Sequence, residues 1–202
     1  MRIHLIRHGR TAANEKKLYC GKTDLPLLLD IKDEKGEGIV PAKYPQDIDL
    51  FFTSGMLRAN QTLELIYGPV RSEALPELAE YNFGDFEMKS HNELKNDPAY
   101  QAWIADDTGK TPCPGGESRE QFKRRVLSGF ALLIEKNRKV NTTLTVCHGG
   151  AIVYIMDSLF PDIRHFYEWQ PANGGGYTIT ITEEKNEKNI TCGYRYDFSS
   201  LW

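Results

Sequence analysis

Three short apolar runs along the chain each end abruptly at polar residues. Residues 3–6 lead into Arg7-His8-Gly9, residues 50–52 into Thr53-Ser54, and residues 143–147 into His148-Gly149-Gly150. Short apolar runs with such boundaries predict strands. Between them, apolar residues recur at helical spacing. Met56, Ala59, Leu63 and Ile66 fall on one face, with Ser54 as the expected N-cap and Gly68-Pro69 as the stop. Ser118 and Gln121 form a capping box. It opens a helix whose apolar stripe is Phe122, Val126, Phe130, Leu133 and Ile134. Asp97-Pro98 is expected to start a helix that carries Tyr100, and a short helix is expected after Gly150. Near the end, Tyr177, Ile179 and Ile181 alternate with threonines, and Cys192, Tyr194 and Tyr196 repeat that period. The charged stretch 183–189 between them reads as a hairpin loop. Residues 30–45 show no period and read as a surface excursion. Strands alternating with helices predict an α/β domain with a largely parallel sheet and an antiparallel edge.

The chain has 202 residues, enough for one domain over 1–202 with a sizeable core. Hydrophobic residues make up 40% and charged residues 26%, the balance of a soluble globular protein. A formal net charge of −3 argues against a basic face for nucleic acid. Arginines gathered in one cleft would still bind an anion. The four cysteines include no C-x-x-C pair and read as reduced thiols in a cytoplasmic protein. The N-terminal run is too short and too interrupted for a signal peptide, and no run approaches a membrane span.

The sharpest chemical signal is Arg7-His8-Gly9-Arg10-Thr11. A match to R-H-G-x-T arises by chance at a given position on the order of once in 10⁵. Neutral imidazole is a nucleophile near pH 7 without further activation. An adjacent arginine offers a planar fork of donors matched to phosphate oxygens. Glycine lets a phosphate approach the backbone. An ordinary strand end with a solvated Arg and His would look the same at this motif alone. Ligands of open α/β sheets bind beyond the carboxyl ends of the strands, and all three runs end at suitable residues.

The rest of the chain strengthens the signal. After R-H-G-x-T come Asn14 and Gly21-Lys22-Thr23-Asp24-Leu25-Pro26-Leu27, then Ser54 to Thr62 in the pattern S-x-M-x-R-A-x-Q-T. Leu78 to Glu87 follow as L-x-E-x-x-F-G-x-F-E, then Pro114-Gly115-Gly116-Glu117-Ser118 and His148-Gly149-Gly150. In this order the motifs resemble the histidine phosphatase superfamily, also called phosphoglycerate mutase-like. The resemblance implies a three-layer α/β/α sandwich and a phosphomonoester hydrolase acting through a phosphohistidine. It implies His8 as nucleophile. Arg7, Arg58 and His148 would hold the phosphate and offset its charge, and Asn14 would add a contact. Glu80 would be the acid and base, with Glu87 in support. It implies no cofactor and no metal, and no spacing here resembles a closed zinc site or a two-metal acidic cluster. The expected partner is a small-molecule phosphomonoester, such as alpha-ribazole phosphate or a sugar phosphate. No nucleic acid or membrane partner is expected, and a homodimer is left open.

The match has departures. Cys20 stands where the family often has Gln, Met56 replaces Leu, Phe86 replaces Trp, and Met88 the usual Gly. The family's T-x-x-G-x-x-Q-A helix is not visible in residues 28–44. Substrate choice is expected from segment 83–113, which carries Phe86, Tyr100, Trp103 and Ile104, and from residues 171–177. Aromatics at that spacing are as a rule core rather than pocket. A cofactor-dependent phosphoglycerate mutase is the alternative, but mutases of the family carry an Arg-rich insertion there. This chain has no arginine between Arg71 and Arg119. A catalytically inactive relative would have lost the nucleophile or a phosphate-binding Arg, and both are present. His4 is expected to pack in the sheet, His91 and His165 to lie on the surface.

Overall fold

In the computed structural model, which describes residues 1–28, 39–161, 163–184 and 187–193, the three apolar runs become neighbouring strands. They are β1 (Arg2–Arg7), β2 (Leu50–Thr53) and β4 (Thr142–Cys147). With β3 (Ser72–Ala74), β5 (Gly176–Glu184) and β6 (Glu187–Gly193) they form one sheet in the order β3-β2-β4-β1-β5-β6. The first four in that order are parallel, and β5 and β6 add the antiparallel edge. Val146 pairs with Ile6 on one side and Thr53 on the other. That register brings His8, His148 and Ser54 to the same end of three adjacent strands.

Strand alternation sorts side chains between two helical layers. Ile3 and Leu5 join a core under α5 (Arg119–Asn137) and α6 (Gly149–Leu159). Ile6, Leu144 and Val146 meet Ala59, Leu63 and Ile66 of α2 (Leu57–Tyr67) on the other face. The architecture is therefore the expected three-layer α/β/α sandwich. Helices on both faces explain why β4 is buried along its whole length. Each fully buried leucine, such as Leu5 or Leu144, contributes roughly 2 kcal/mol.

The helix starts follow their caps with one exception. Ser118 and Gln121 close the box at α5, and Asp97 caps α4 (Pro98–Ala105). α6 runs for 11 residues, longer than expected. Ser54 does not cap α2, whose N-cap is Met56. The Asp24 carboxylate instead accepts the Leu57 N–H at 2.9 and 3.0 Å, and a negative charge there complements the helix dipole. One-turn helices form at α1 (Ala12–Glu15) and α3 (His91–Leu94).

Two boundaries differ from expectation. β5 and β6 extend through most of 183–189, so only residues 185 and 186 lie between the strands. Tyr194 and Tyr196 fall outside the described residues. Of the unpatterned segment, residues 30–38 also fall outside them, and Pro41–Lys43 forms a single 3-10 turn. His4 lies in β1 with its Nδ1 2.8 Å from Thr178 Oγ1, and His91 and His165 are exposed. No helix of the described residues is long and apolar enough to cross a membrane.

Candidate active site

His8 follows β1 directly and is 5% exposed. Its Nδ1 lies 2.6 Å from the Gly9 carbonyl. A carbonyl only accepts, so Nδ1 carries the proton and Nε2 carries the lone pair. Burial, then the Arg58 and Arg7 charges, hold the imidazole pKa well below its ordinary value, so the ring is neutral. Nε2 receives only a long hydrogen bond, 3.3 Å, from Arg58 Nε. The Gly9 N–H is not offered to a phosphate as expected, because it donates to Thr62 Oγ1 at 2.9 Å. Gly9 acts through its carbonyl, which sets the His8 tautomer.

Arg58 enters from the first turn of α2 and is 1% exposed. Its Nη1 donates to Thr23 O at 2.9 Å and its Nη2 to Gly21 O at 2.8 Å. Thr62, one turn on, accepts from Gly9 and donates to Arg58 O at 2.7 Å. Gln61 accepts the Leu27 N–H at 2.9 Å. The motif from Ser54 to Thr62 therefore ties α2 to both neighbouring loops. Arg7 is held at Nη1 by Pro171 O, 2.7 Å away.

His148 follows β4, is fully buried, and its ring centroid is 5.1 Å from that of His8. Burial first, then His8, Arg58 and Arg7, push its pKa well down. Its Nε2 is 2.8 Å from Ser54 Oγ, while its Nδ1 is buried with no protein partner. A buried ring nitrogen without a partner is costly unless a ligand satisfies it. Gly149 and Gly150 leave room for the ends of two neighbouring side chains. A Cβ at Gly149 would stand 2.1 Å from Gln170 Nε2, and one at Gly150 2.4 Å from Glu80 Oε1.

Glu80 is half-buried opposite α6. Its Oε2 accepts the Gly150 N–H at 3.1 Å and its Oε1 the Tyr81 N–H at 2.9 Å. Arg125 fixes the segment by donating to the carbonyls of Glu77, Ala79 and Glu80. Asn14 Oδ1 accepts from Thr11 N and Oγ1, at 2.9 and 3.0 Å, which leaves its amide N–H groups for a ligand. Asn173 Nδ2 donates to His8 O at 3.1 Å, so the 171–177 loop props the nucleophile from behind.

Arg7, His8, Asn14, Arg58 and Glu80 converge on one polar cavity of about 130 Å³. His148 adjoins His8, with ring centroids 5.1 Å apart. All six expected residues thus come together, at the carboxyl ends of β1 and β4. A larger hollow of about 990 Å³ lies elsewhere, between β2–β3 and the end of α5, and holds none of them. Among the described residues no group of three or more His, Cys, Asp or Glu is placed to hold a metal ion. Ser54, Thr62, Arg125 and Asn173 are positioning residues that sequence reasoning did not single out. Ser54 and Thr62 sit inside a recognised motif, whereas Arg125 and Asn173 carry no sequence signal.

Neutral imidazole, two guanidinium groups and a carboxylate around one small cavity suit transfer of a phosphoryl group. Residues 3–190 match the Histidine phosphatase superfamily (branch 1). The chain belongs to that superfamily and is a phosphatase acting on a small phosphorylated substrate. It is 33% identical over 167 residues to the adenosylcobalamin/alpha-ribazole phosphatase of Salmonella typhimurium, covering 79% of each chain. It is 34% identical over 165 residues to the Escherichia coli K12 protein of the same name, again with 79% of each covered. Among solved structures, the alpha-ribazole phosphatase of Shigella flexneri superposes with a TM-score of 0.79 at 28% identity, covering 98% of this chain and 97% of that one.

Proposed function

We propose that His8 Nε2 attacks the phosphorus of a small phosphomonoester and forms a phosphohistidine that water then hydrolyses. The observation that carries this reading is the 2.6 Å contact from His8 Nδ1 to Gly9 O, which leaves the Nε2 lone pair available in the cavity. As the N–P bond forms, the bond from phosphorus to the ester oxygen breaks. Glu80 gives that oxygen a proton. Its carboxylate then takes a proton from the attacking water, the N–P bond breaks, and neutral His8 is restored. Arg7, Arg58 and the Asn14 amide hold the phosphoryl oxygens. The His148 Nδ1–H, lacking a protein partner, donates to another. These groups place positive charge and donors where negative charge grows, so the reaction needs no metal. The relatives named above support alpha-ribazole phosphate as a first substrate to assay.

Acid quench of the enzyme turning over ³²P-labelled substrate tests the mechanism. An acid-labile, base-stable phosphoenzyme is expected, absent in a folded His8→Ala variant. Hydrolysis by His8→Ala near the wild-type rate would overturn the covalent route. Exhaustive chelation is expected to leave the rate unchanged.

A further inference from the structure

We propose that the Gln170 carboxamide positions the water that hydrolyses the phosphohistidine. This rests on the phosphohistidine reading and names a residue for its second step. In that step the water oxygen bonds to phosphorus and the His8 Nε2–P bond breaks, its electron pair returning to Nε2. One water proton passes to the Glu80 carboxylate. The other stays on the oxygen and leaves with the released phosphate. A water with two protons needs two acceptors to turn its lone pair to phosphorus, and Glu80 supplies one. A neutral carboxamide accepts the second hydrogen bond without competing for the proton.

The water must stand where the ester oxygen left, opposite Nε2, because displacement at phosphorus runs in line. Glu80 marks that side. It lines both the polar cavity around His8 and a second cavity of about 470 Å³. The alcohol leaves and water enters through the second. Little of that cavity can orient a water. Tyr19 Oη is engaged with Tyr100 Oη at 2.6 Å. Tyr81 Oη accepts from Trp103 Nε1 at 3.0 Å and donates to Glu117 O at 2.6 Å. Arg119 offers donors only, and Tyr167 stands at the rim, 79% exposed. Gln170 is the one carboxamide among the described lining residues. Among the described residues its side-chain amide has no hydrogen-bond partner.

Gln170 also reaches the phosphoryl side. A Cβ on Gly149 would stand 2.1 Å from Gln170 Nε2 and 3.2 Å from Arg7 Nε. The carboxamide therefore lies against the start of α6, beside the Arg7 guanidinium. Nε2 is the atom against Gly149, which leaves Oε1 as the acceptor for water. The chain around Gln170 fixes this placement. Trp169 is fully buried on one side and Pro171 is buried on the other, where its carbonyl accepts Arg7 Nη1 at 2.7 Å. The Gln170 N–H donates to Tyr167 O at 3.2 Å. A side chain anchored at its base by buried neighbours loses little freedom when it takes a ligand.

Single-turnover quench of excess enzyme with ³²P-labelled p-nitrophenyl phosphate separates the two steps. Nitrophenolate reports formation of the phosphoenzyme, and free phosphate reports its hydrolysis. Gln170→Met keeps the side chain's length and removes the amide, and Gln170 is exposed, so the fold should stand. Nitrophenolate release should stay within about twofold of wild type, while phosphate release slows roughly ten- to a hundredfold and label is held on the protein. Tyr154→Phe removes a lining hydroxyl that also lacks a partner among the described residues, and should change neither phase. Phosphate release in Gln170→Met as fast as in wild type overturns the inference while the phosphohistidine reading stands. So does equal slowing of both steps, which would make Gln170 a phosphate ligand, and so does slowing by Tyr154→Phe alone. Absence of labelled protein from wild type, Gln170→Met and Glu80→Gln alike overturns the phosphohistidine reading itself, and the inference with it.

Discussion

Glu87 holds Arg58 in place without touching it. The Glu87 carboxylate accepts the N–H groups of Gly21, Lys22 and Thr23, at 2.9 to 3.2 Å. The carbonyls of Gly21 and Thr23, on the far side of the same loop, accept the Arg58 guanidinium. The carboxylate gathers donors on one side of the loop so that its acceptors face the cation on the other. A buried arginine with fixed acceptors is pre-organised for a phosphate and loses little freedom on binding.

Glu87→Gln replaces one acceptor oxygen by an amide that opposes the loop N–H groups. The loop should loosen and Arg58 with it. Inhibition by vanadate, a mimic of five-coordinate phosphorus, should weaken on the order of tenfold, which corresponds to about 1.4 kcal/mol. The loss of kcat/KM should be the same for every leaving group, because the phosphoryl side of the site is what is disturbed. A loss that depends on the leaving group would refute this role.

Ser54 is the hydrogen-bond partner of His148. Its Oγ accepts the Met56 N–H at 3.4 Å and lies 2.8 Å from His148 Nε2. With Ser54 as donor, the ring proton sits on Nδ1, the nitrogen without a protein partner. Ser54→Ala leaves a buried nitrogen unpaired and frees the wrong tautomer. A loss of roughly ten- to a hundredfold in kcat/KM is expected, equivalent to about 1–3 kcal/mol. Ser54→Thr should restore most of it, since the hydroxyl returns. Wild-type kinetics in Ser54→Ala would show that the hydroxyl does not orient the ring.

Much of this site was legible in the sequence because its residues follow strands whose apolar runs are hard to mistake. Arg7-His8 and His148-Gly149-Gly150 stand directly after β1 and β4. What was not legible depends on distant contacts. Ser54 has the side chain of an N-cap, yet its hydroxyl goes to a histidine 94 residues away. Asp24 takes over the cap from a loop 33 residues upstream. β3 was invisible because all three of its residues are exposed and carry no alternation. The charge of residues 183–189 gives them the look of a loop, although the strand pairing runs through most of them. No local pattern marks Arg125 or Asn173, whose bonds span 45 and 165 residues.

Three buried neutral histidines make stability depend on pH. His4 is held down to about 4 by burial and then by Arg2. His8 and His148 are held well below their ordinary value, mainly by burial. The unfolded chain binds these protons first as pH falls through about 6.5. Folded-state pKa values are depressed, so the stabilisation is present above that pH and is lost on acidification. Each histidine contributes a slope of roughly 1.4 kcal/mol per pH unit between its unfolded and folded values. Urea unfolding at pH 7.5, 6 and 5 should show a falling midpoint before carboxylates titrate. His4→Gln should flatten the curve without touching the catalytic pair. An unfolding free energy constant from pH 7.5 to 5 would contradict the buried neutral state.

Glu80 and Glu87 are the two carboxylates of one segment, and their substitutions should part company. Glu80 alone lines the cavity that holds His8, whereas both Glu87 oxygens are taken by backbone N–H groups of the 21–23 loop. A general acid matters in proportion to how badly the leaving group needs a proton. An alkoxide leaves poorly, and p-nitrophenolate leaves unaided. Glu80→Gln should therefore slow phosphorylation steeply with an alkyl or sugar phosphate and little with p-nitrophenyl phosphate. Attack by water on the phosphohistidine also loses its base. With p-nitrophenyl phosphate the variant should release a burst of nitrophenolate, then turn over slowly, with losses of roughly 10² to 10⁴ in the affected steps. Glu87→Gln should give no burst and no dependence on leaving group. If the two variants exchange behaviour, the acid is misassigned although the phosphohistidine can stand. An equal loss on both substrates for Glu80→Gln would make Glu80 a structural ligand of the α6 N-terminus, through its bond to Gly150, and nothing more.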